Sequence, residues 1–259
     1  MERRKIPILN EKIDPFILWY IFKKSIIFSA VIFILAIGAA LVYLRYTPPL
    51  YKASSVIQIK NDVDKTNQIL EINTSKTDEV NLNQTIELLR SPEFLKRTFN
   101  KLPLNVTYFS QGTFLAFELY RSSPFNIEYQ ISNPYFYRLP FYVSFIDHSV
   151  ILKYGTDKKE KTIPINKWVD LDGLKLKLNV TDSNAVKEQT EKIKTDSYYF
   201  IINDSDYVQN FNSNLLEVFV LNGEANTIQI NFTDKNPVKA TEIVKTIAEE
   251  FINFDVEKK

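Results

Sequence analysis

The chain has 259 residues, 45% of them hydrophobic, no cysteine and a formal net charge of +1. Without cysteine there is no disulfide framework, so any folded domain is held by its apolar core alone. A charge near zero excludes the broad basic face that nucleic-acid phosphates require, and no nucleic-acid partner is expected. The charge is unevenly spread: the first 24 residues carry six bases and three acids, and the residues after 44 carry 26 bases and 28 acids.

The first element is an uncharged apolar run over 25–44. Twenty helical residues rise about 30 Å, the thickness of a hydrocarbon core, so the run predicts a transmembrane helix. The competing readings are a buried helix of a soluble domain, which is normally shorter and has a polar side, and a signal peptide, whose apolar core is only about 7–15 residues. Arg3, Arg4, Lys5, Lys12, Lys23 and Lys24 precede the run, and only Arg45, Lys52 and Lys60 follow within twenty residues. The positive-inside rule then places the N-terminus in the cytoplasm. Trp19, Tyr20, Tyr43 and Tyr46 suit the two interfaces. Residues 14–22 either lie in the cytoplasmic interface or extend the span, with Lys23 and Lys24 snorkelling.

Beyond the span, β-branched residues over 51–60 predict a strand and the polar stretch 61–78 a mobile loop. A helix follows over 79–90, with Leu82, Ile86 and Leu89 on one face. Ser91 suits an N-cap and Pro92 a first helical position. Phe94, Leu95, Phe99 and Leu102 form the stripe of that second helix, which Pro103 ends. Strands are predicted over 105–109, 113–120, 125–131, 141–146, 150–154, 174–180, 198–202, 215–221 and 227–232, with turns at Asp147-His148-Ser149 and Asp172-Gly173. Short strands at this spacing suggest a β-sandwich or barrel-like insertion. A short helix is predicted within 210–216. Asn236 and Pro237 open a last helix, with Ala240, Ile243, Val244, Ile247, Ala248, Phe251 and Phe254 at helical spacing. That pattern still runs at Lys259, which predicts a fragment of a longer protein; the alternative is a native helix fraying over 257–259.

Few residues invite chemistry, and the sequence predicts no catalytic, cofactor-binding or metal-binding residues and no cofactor. His148 is the single histidine and sits in a turn. Asp170-Leu-Asp172-Gly173 resembles the opening of a calcium loop but lacks its later acidic positions, so a hairpin turn is the expectation. Asp204 and Asp206 offer an acid–base pair or an ordinary solvated loop. Sequons at Asn73, Asn83, Asn105, Asn179, Asn203 and Asn231 are what an Asn-rich chain produces by chance. The five glycines (Gly38, Gly112, Gly155, Gly173 and Gly223) are too dispersed to form a phosphate-binding loop. The aromatic run over 134–142 offers either sugar-stacking rings or core filling. Pro49 stops the membrane helix and Tyr51 opens the next strand, a junction or a subunit contact.

Three pieces, in this order around an apolar span, resemble the Wzz-type chain-length determinants, or polysaccharide co-polymerases. They are Pro49-Leu50-Tyr51-Lys52-Ala53 after the span, Leu89-Arg90-Ser91-Pro92 at a helix start, and Asp234-Lys-Asn-Pro237-Val-Lys-Ala240 after a strand. The likeness covers 14–102 and 215–254. The β-rich insertion and the N-terminal segment are most similar to the Wzc-like subgroup fused to a cytoplasmic tyrosine autokinase. Lys245 stands where the family often has Asn, and the second span and kinase domain of that subgroup are absent from the sequence.

The resemblance implies an α+β fold. A cytoplasmic and interfacial segment (1–24) and a transmembrane helix (25–44) lead to a mixed α/β base domain (45–109 and 215–259) with a β-sandwich-like insertion (110–214). It implies Pro49, Tyr51 and Ala53 as the membrane-exit motif, and Ser91, Pro92, Asp234, Pro237 and Ala240 as helix-start motifs. It further implies a non-catalytic, homo-oligomeric scaffold in a bacterial inner membrane, its main domain periplasmic. Its partners would be the lipid bilayer, a polysaccharide polymerase or export machinery, and the growing polysaccharide. A membrane-anchored carbohydrate-binding module and a periplasmic adaptor of an export pump stay open beside it.

Overall fold

The computed structural model describes residues 15–59, 74–146, 149–193 and 196–257. The chain divides into two units, Met1–Pro48 and Pro49–Lys259. Among its described residues the first holds one helix, α1 (Pro15–Tyr46). Within it Trp19–Tyr46, 28 residues whose most apolar 18-residue stretch has a mean hydropathy of 2.7, is long and apolar enough to cross a membrane. At about 1.5 Å per residue such a helix exceeds the hydrocarbon core and reaches into both interfaces. Over Trp19–Leu44 its side chains are exposed all round, as Phe28, Phe33 and Leu35 show, so these residues form no amphipathic face. Lys23 and Lys24 fall inside this continuous helix rather than at its start.

The second unit begins with β1 (Tyr51–Gln58), α2 (Thr74–Arg90) and α3 (Pro92–Phe99). Helix α2 corrects the expected loop at its C-terminal end, because residues 74–78 are already helical; residues 61–73 lie outside the described residues. The strands β2 (Val106–Gln111), β3 (Ala116–Glu118), β4 (Phe125–Ile131), β5 (Pro140–Ile146), β6 (Ser149–Tyr154), β7 (Lys159–Pro164), β8 (Val169–Asp170) and β9 (Leu174–Val180) follow. Then come α4 (Ser183–Lys192), β10 (Tyr198–Ile202), α5 (Ser205–Ser213), β11 (Leu216–Asn222), β12 (Thr227–Asp234) and α6 (Pro237–Glu257). The fold is α+β, and every strand pairing is antiparallel.

Two hydrophobic cores organise these elements. The first lies against the sheet β1-β12-β11. Alternate residues of β12, Ile228, Ile230 and Phe232, are fully buried, as the period of two requires. They meet the α6 stripe Ala240, Ile243, Val244 and Ile247 and the α3 stripe Phe94, Leu95 and Phe99. Both helices begin as their sequences direct. Ser91 Oγ accepts from Phe94 N at 3.4 Å with Pro92 in the first turn, and Asn236 Oδ1 accepts from Val238 N and Lys239 N at 3.0 and 3.1 Å.

The second core is shared by the six-stranded sheet β3-β2-β10-β5-β6-β7 and the three-stranded sheet β4-β9-β8, the sandwich-like arrangement expected. Phe141 and Phe200 stack at 5.0 Å between ring centres, and Phe125 meets Phe145 and Tyr198 edge-on. Asp172 and Gly173 both have positive φ, 55° and 113°, as a two-residue hairpin turn demands. Asn133 Cβ would stand 2.9 Å from any Cβ placed on Gly173.

Two further expectations need correction, and two elements were not anticipated. Residues 113–120 do not form one long strand: β3 holds only Ala116–Glu118, and a 3-10 turn with Tyr120 at φ 48° ends it. The helix expected within 210–216 is α5, which starts at Ser205 because Asp204 caps it, its Oδ1 accepting from Tyr207 N at 2.8 Å. Finally, β7 and α4 form from polar segments, each with a single buried apolar residue, Ile163 and Val186. The second is capped by Asp182 Oδ1, which accepts from Asn184 N and Ala185 N.

The chain passes from the first core to the second and back at two asparagines. Leu104 belongs to the first core and Val106 packs on the second; Ile202 belongs to the second and Val208 to the first. Between them Asn203 N donates to Asn105 O at 2.8 Å, and Asn203 Nδ2 donates to Leu104 O and Thr107 Oγ1 at 3.0 and 2.8 Å. One buried side-chain amide thus stitches both crossings together.

Candidate functional site

Two of the three sequence motifs meet at one end of the β1–β12 ladder. Helix α1 stops at Tyr46, and Pro48-Pro49 biases the chain toward extended backbone before β1. Tyr51 then pairs with Asp234, and Ala53 with Phe232. The strand entering the second unit is therefore bonded along its length to the strand that launches α6. Ala53 is half-buried and packs on the first core, so its small side chain fits the space between β1 and α6.

Asp234 joins strand to helix. Its Oδ1 accepts from Asn236 N at 2.7 Å, and its Oδ2 lies 3.2 Å from Lys239 Nζ. Lys239, only 7% exposed at its side chain, is also 3.0 Å from Glu118 Oε1 on β3. Asn236 Nδ2 donates to Glu118 O at 3.0 Å. A buried carboxylate–ammonium–carboxylate triad thus ties the start of α6 to the edge strand of the six-stranded sheet. Burial pushes the Glu118 carboxyl up; the neighbouring Lys239 opposes that shift and the charge of Asp234 adds to it. Beside it Arg121 Nε donates to both carboxylate oxygens of Glu242, at 2.7 and 3.0 Å, and this hydrogen bonding holds Glu242 below the usual carboxylate range.

Pro237 occupies the first turn of α6 and Ala240 is fully buried on the core side. Ser91 and Pro92 serve a different contact, the docking of α3 on α6. There Glu250, 1% exposed, pairs with both Arg97 and Lys101. The helix before it is fixed to the sheet by Arg90, which donates to Val218 O at 2.6 Å. The roles of Glu118, Lys239 and Glu250 were not readable from the sequence, since nothing in a charge's neighbours along the chain marks it as buried.

The remaining candidates resolve into local structure. Asp204 is the α5 cap and Asp206 lies in its first turn, so the two do not form an acid–base pair. Asp170 Oδ1 accepts from Gly173 N at 3.3 Å within the hairpin. His148 lies outside the described residues. Among the described residues no group of three or more His, Cys, Asp or Glu side chains could hold a metal. In the aromatic run Phe136 and Phe141 fill the second core, whereas Tyr135 is exposed. Asn203 and Asn231 are buried and hydrogen-bonded, which suits chance sequons.

The described residues thus combine a helix long and apolar enough to cross a membrane with an α+β unit whose first strand pairs with the strand before its last helix. Residues 11–102 match the family model described as Wzz: Chain length determinant protein. The match takes in α1, β1, α2 and α3 and is consistent with a Wzz-type polysaccharide co-polymerase. That family is non-catalytic and implies a role in chain-length determination during polysaccharide synthesis; with the α1 span it fits an inner-membrane protein. Comparison with curated proteins gives no match.

Proposed function

We propose that this chain is a non-catalytic scaffold of a bacterial inner membrane that regulates the chain length or export of a surface polysaccharide such as capsule, exopolysaccharide or O-antigen. The N-terminus is cytoplasmic and the unit from Pro49 onward is periplasmic. Copies of the chain assemble side by side and present a repeated surface to the growing polymer and to its polymerase or export machinery. The β-rich part is the reason for favouring the Wzc-like branch, in which a second span and a cytoplasmic tyrosine kinase complete the parent protein.

The observation that carries this reading is the family match over 11–102, which begins before the span and ends just past α3. The pairing of Tyr51 with Asp234 supports it, because it couples the segment leaving the membrane to the helix that closes the unit. The test is a gel of surface polysaccharide from cells lacking the gene beside wild type. Loss of length control, or loss of polymer with the lipid core intact, is expected. An unchanged ladder and capsule would exclude the role.

A further inference from the structure

A small pocket of about 190 Å³ opens where the two cores meet, between α5, the adjacent strands β2 and β10 and the start of α6. It is smaller than the roughly 300–1,000 Å³ of drug-sized sites, a size that suits one ring rather than an extended ligand. Its wall combines three features. First, Tyr207 and Phe211, one helical turn apart on α5, stack at 5.5 Å with their planes 20° apart and stay 36% and 44% exposed. Second, Arg138 is held with its guanidinium carbon 5.8 Å from the Tyr207 ring centre and its Nε 3.7 Å from Asp204 Oδ2. Third, Asn212, almost wholly buried, uses its Nδ2 to donate to Val208 O at 2.6 Å and leaves its Oδ1 without a hydrogen-bond partner among the described residues.

Each feature carries a cost that packing alone does not require. Exposed, stacked aromatics on a short surface helix leave apolar faces in water. Arg138 adopts φ 61°, a left-handed conformation that disfavours any residue with a Cβ. Backbone outliers of this kind concentrate at binding sites, where the surroundings hold them. A buried acceptor left unmatched is rare in folded proteins; this oxygen has almost no open surface, so a hydroxyl donor satisfies it by displacing the side chains that cover it. Aromatic faces for apolar C–H edges, a fork of N–H donors and an unfilled acceptor for O–H together fit a polyhydroxylated ring.

The geometry points to a saccharide-binding site in this pocket, taking one pyranose ring of the polymer on the Tyr207–Phe211 platform with Arg138 and Asn212 as its polar contacts. The inference rests on the proposed role in polysaccharide synthesis and names the place where the polymer touches the chain. The ring lies against the Tyr207 and Phe211 faces, its hydroxyls accepting from Arg138 and donating to Asn212 Oδ1. Residues Asn203 and Lys239, both already committed to partners in the protein, make the floor rigid.

The test is saturation-transfer NMR on the full chain in detergent micelles, with D-glucose, D-galactose, N-acetyl-D-glucosamine and D-glucuronate as separate probes. At least one should show transfer to its ring C–H protons, weakened about tenfold or more in Tyr207→Ala and Phe211→Ala. These side chains are part-exposed, so both variants keep the fold, checked by circular dichroism. Arg138→Gly should lose binding while melting no lower than wild type, because glycine accepts the left-handed backbone. A purely structural Arg138 would give the opposite result. Tyr135→Ala, an exposed tyrosine away from the pocket, should bind like wild type. No transfer from any probe, or transfer indifferent to Tyr207→Ala, overturns the site. Failure of binding with an altered polysaccharide ladder in gene-deleted cells removes this site alone. Binding with an unchanged ladder keeps the site and removes the chain-length role.

Discussion

The two cores of the second unit are held in different ways. Around the sheet β1-β12-β11 the helices are fixed by charges that the fold has taken out of water: Lys239 between Glu118 and Asp234, and Glu250 between Arg97 and Lys101. In the β-rich part aromatic rings fill the centre, and the ion pairs Lys177–Glu128 and Lys153–Glu160 lie at the surface. A dry aromatic core gives stability that does not depend on pH. Buried ion pairs contribute little net stability but impose a register, since a wrong arrangement leaves a charge unpaired. The aromatic core suits a part that only has to be rigid. The buried ion pairs suit one in which strand and helix must keep fixed positions.

The largest expected effect comes from emptying the aromatic core. Phe141→Ala removes a fully buried ring that stacks on Phe200 and meets Phe136. A loss of about 3–5 kcal/mol is expected, read by urea unfolding of the full chain in detergent. The same loss at pH 5 and pH 8 would show that the β-rich core is indifferent to charge. Next comes Lys239→Ala, which leaves Glu118 and Asp234 facing each other without their cation. A loss of about 3 kcal/mol is expected, and Lys239→Met, which restores bulk but not charge, should recover little of it. Full recovery by methionine would mean that Lys239 acts by packing, and the contrast between the two cores would collapse.

That contrast was half legible in the sequence. Caps and stripes were readable because they are local: Ser91 with Pro92, Asn236 with Pro237, and the alternation in β12 and β9 follow from spacing alone. The strands 125–131, 174–180 and 198–202 fall where the alternation puts them. What stayed hidden depends on distant partners. Strand β7, Lys-Glu-Lys-Thr-Ile-Pro, has no apolar alternation and exists because β6 offers it an edge. Asp204 read as a solvated loop residue or half of a carboxylate pair, when its position before Ser205 made it a helix cap. Glu118 meets Lys239 across 121 residues, and no periodicity reports such a contact. The pocket at α5 was missed for the same reason: its rings are spaced four apart, but the wall they face comes from β2, β10 and α6.

The pH dependence of two carboxylates on the same side of the junction sharpens the contrast further. Glu118 titrates above its unfolded value, so its ionised form opposes folding. That penalty is present at neutral pH and disappears as the pH falls through the raised value toward 4.5. Glu242 is lowered by Arg121, so its contribution is present above the unfolded value and lost as the pH falls through the lowered one. Unfolding curves from pH 7 to pH 3 should therefore separate the variants. Measured against wild type, Glu118→Gln should fare better at pH 7 than at pH 4, whereas Glu242→Gln should be less stable at pH 7 with a gap that narrows on acidification. Parallel behaviour of the two would contradict the burial-first account of Glu118.

The smallest effect is expected at the helix start that carried the resemblance. Ser91→Ala removes a cap whose bond from Phe94 N is long, 3.4 Å. Caps contribute about 0.5–2 kcal/mol, and a bond of that length belongs at the low end, about 0.5 kcal/mol. Leu95 N still donates to Ser91 O, and Pro92 still presets the first turn, so α3 should keep its start. The useful reading is the ratio of two losses. If Ser91→Ala changes polysaccharide length in cells while costing so little stability, Ser91 acts through a surface that α3 shows to another copy or to the polymerase. If length is unchanged, the Leu-Arg-Ser-Pro motif is a folding signal only, and its work is to aim Arg97 and Lys101 at Glu250 on α6.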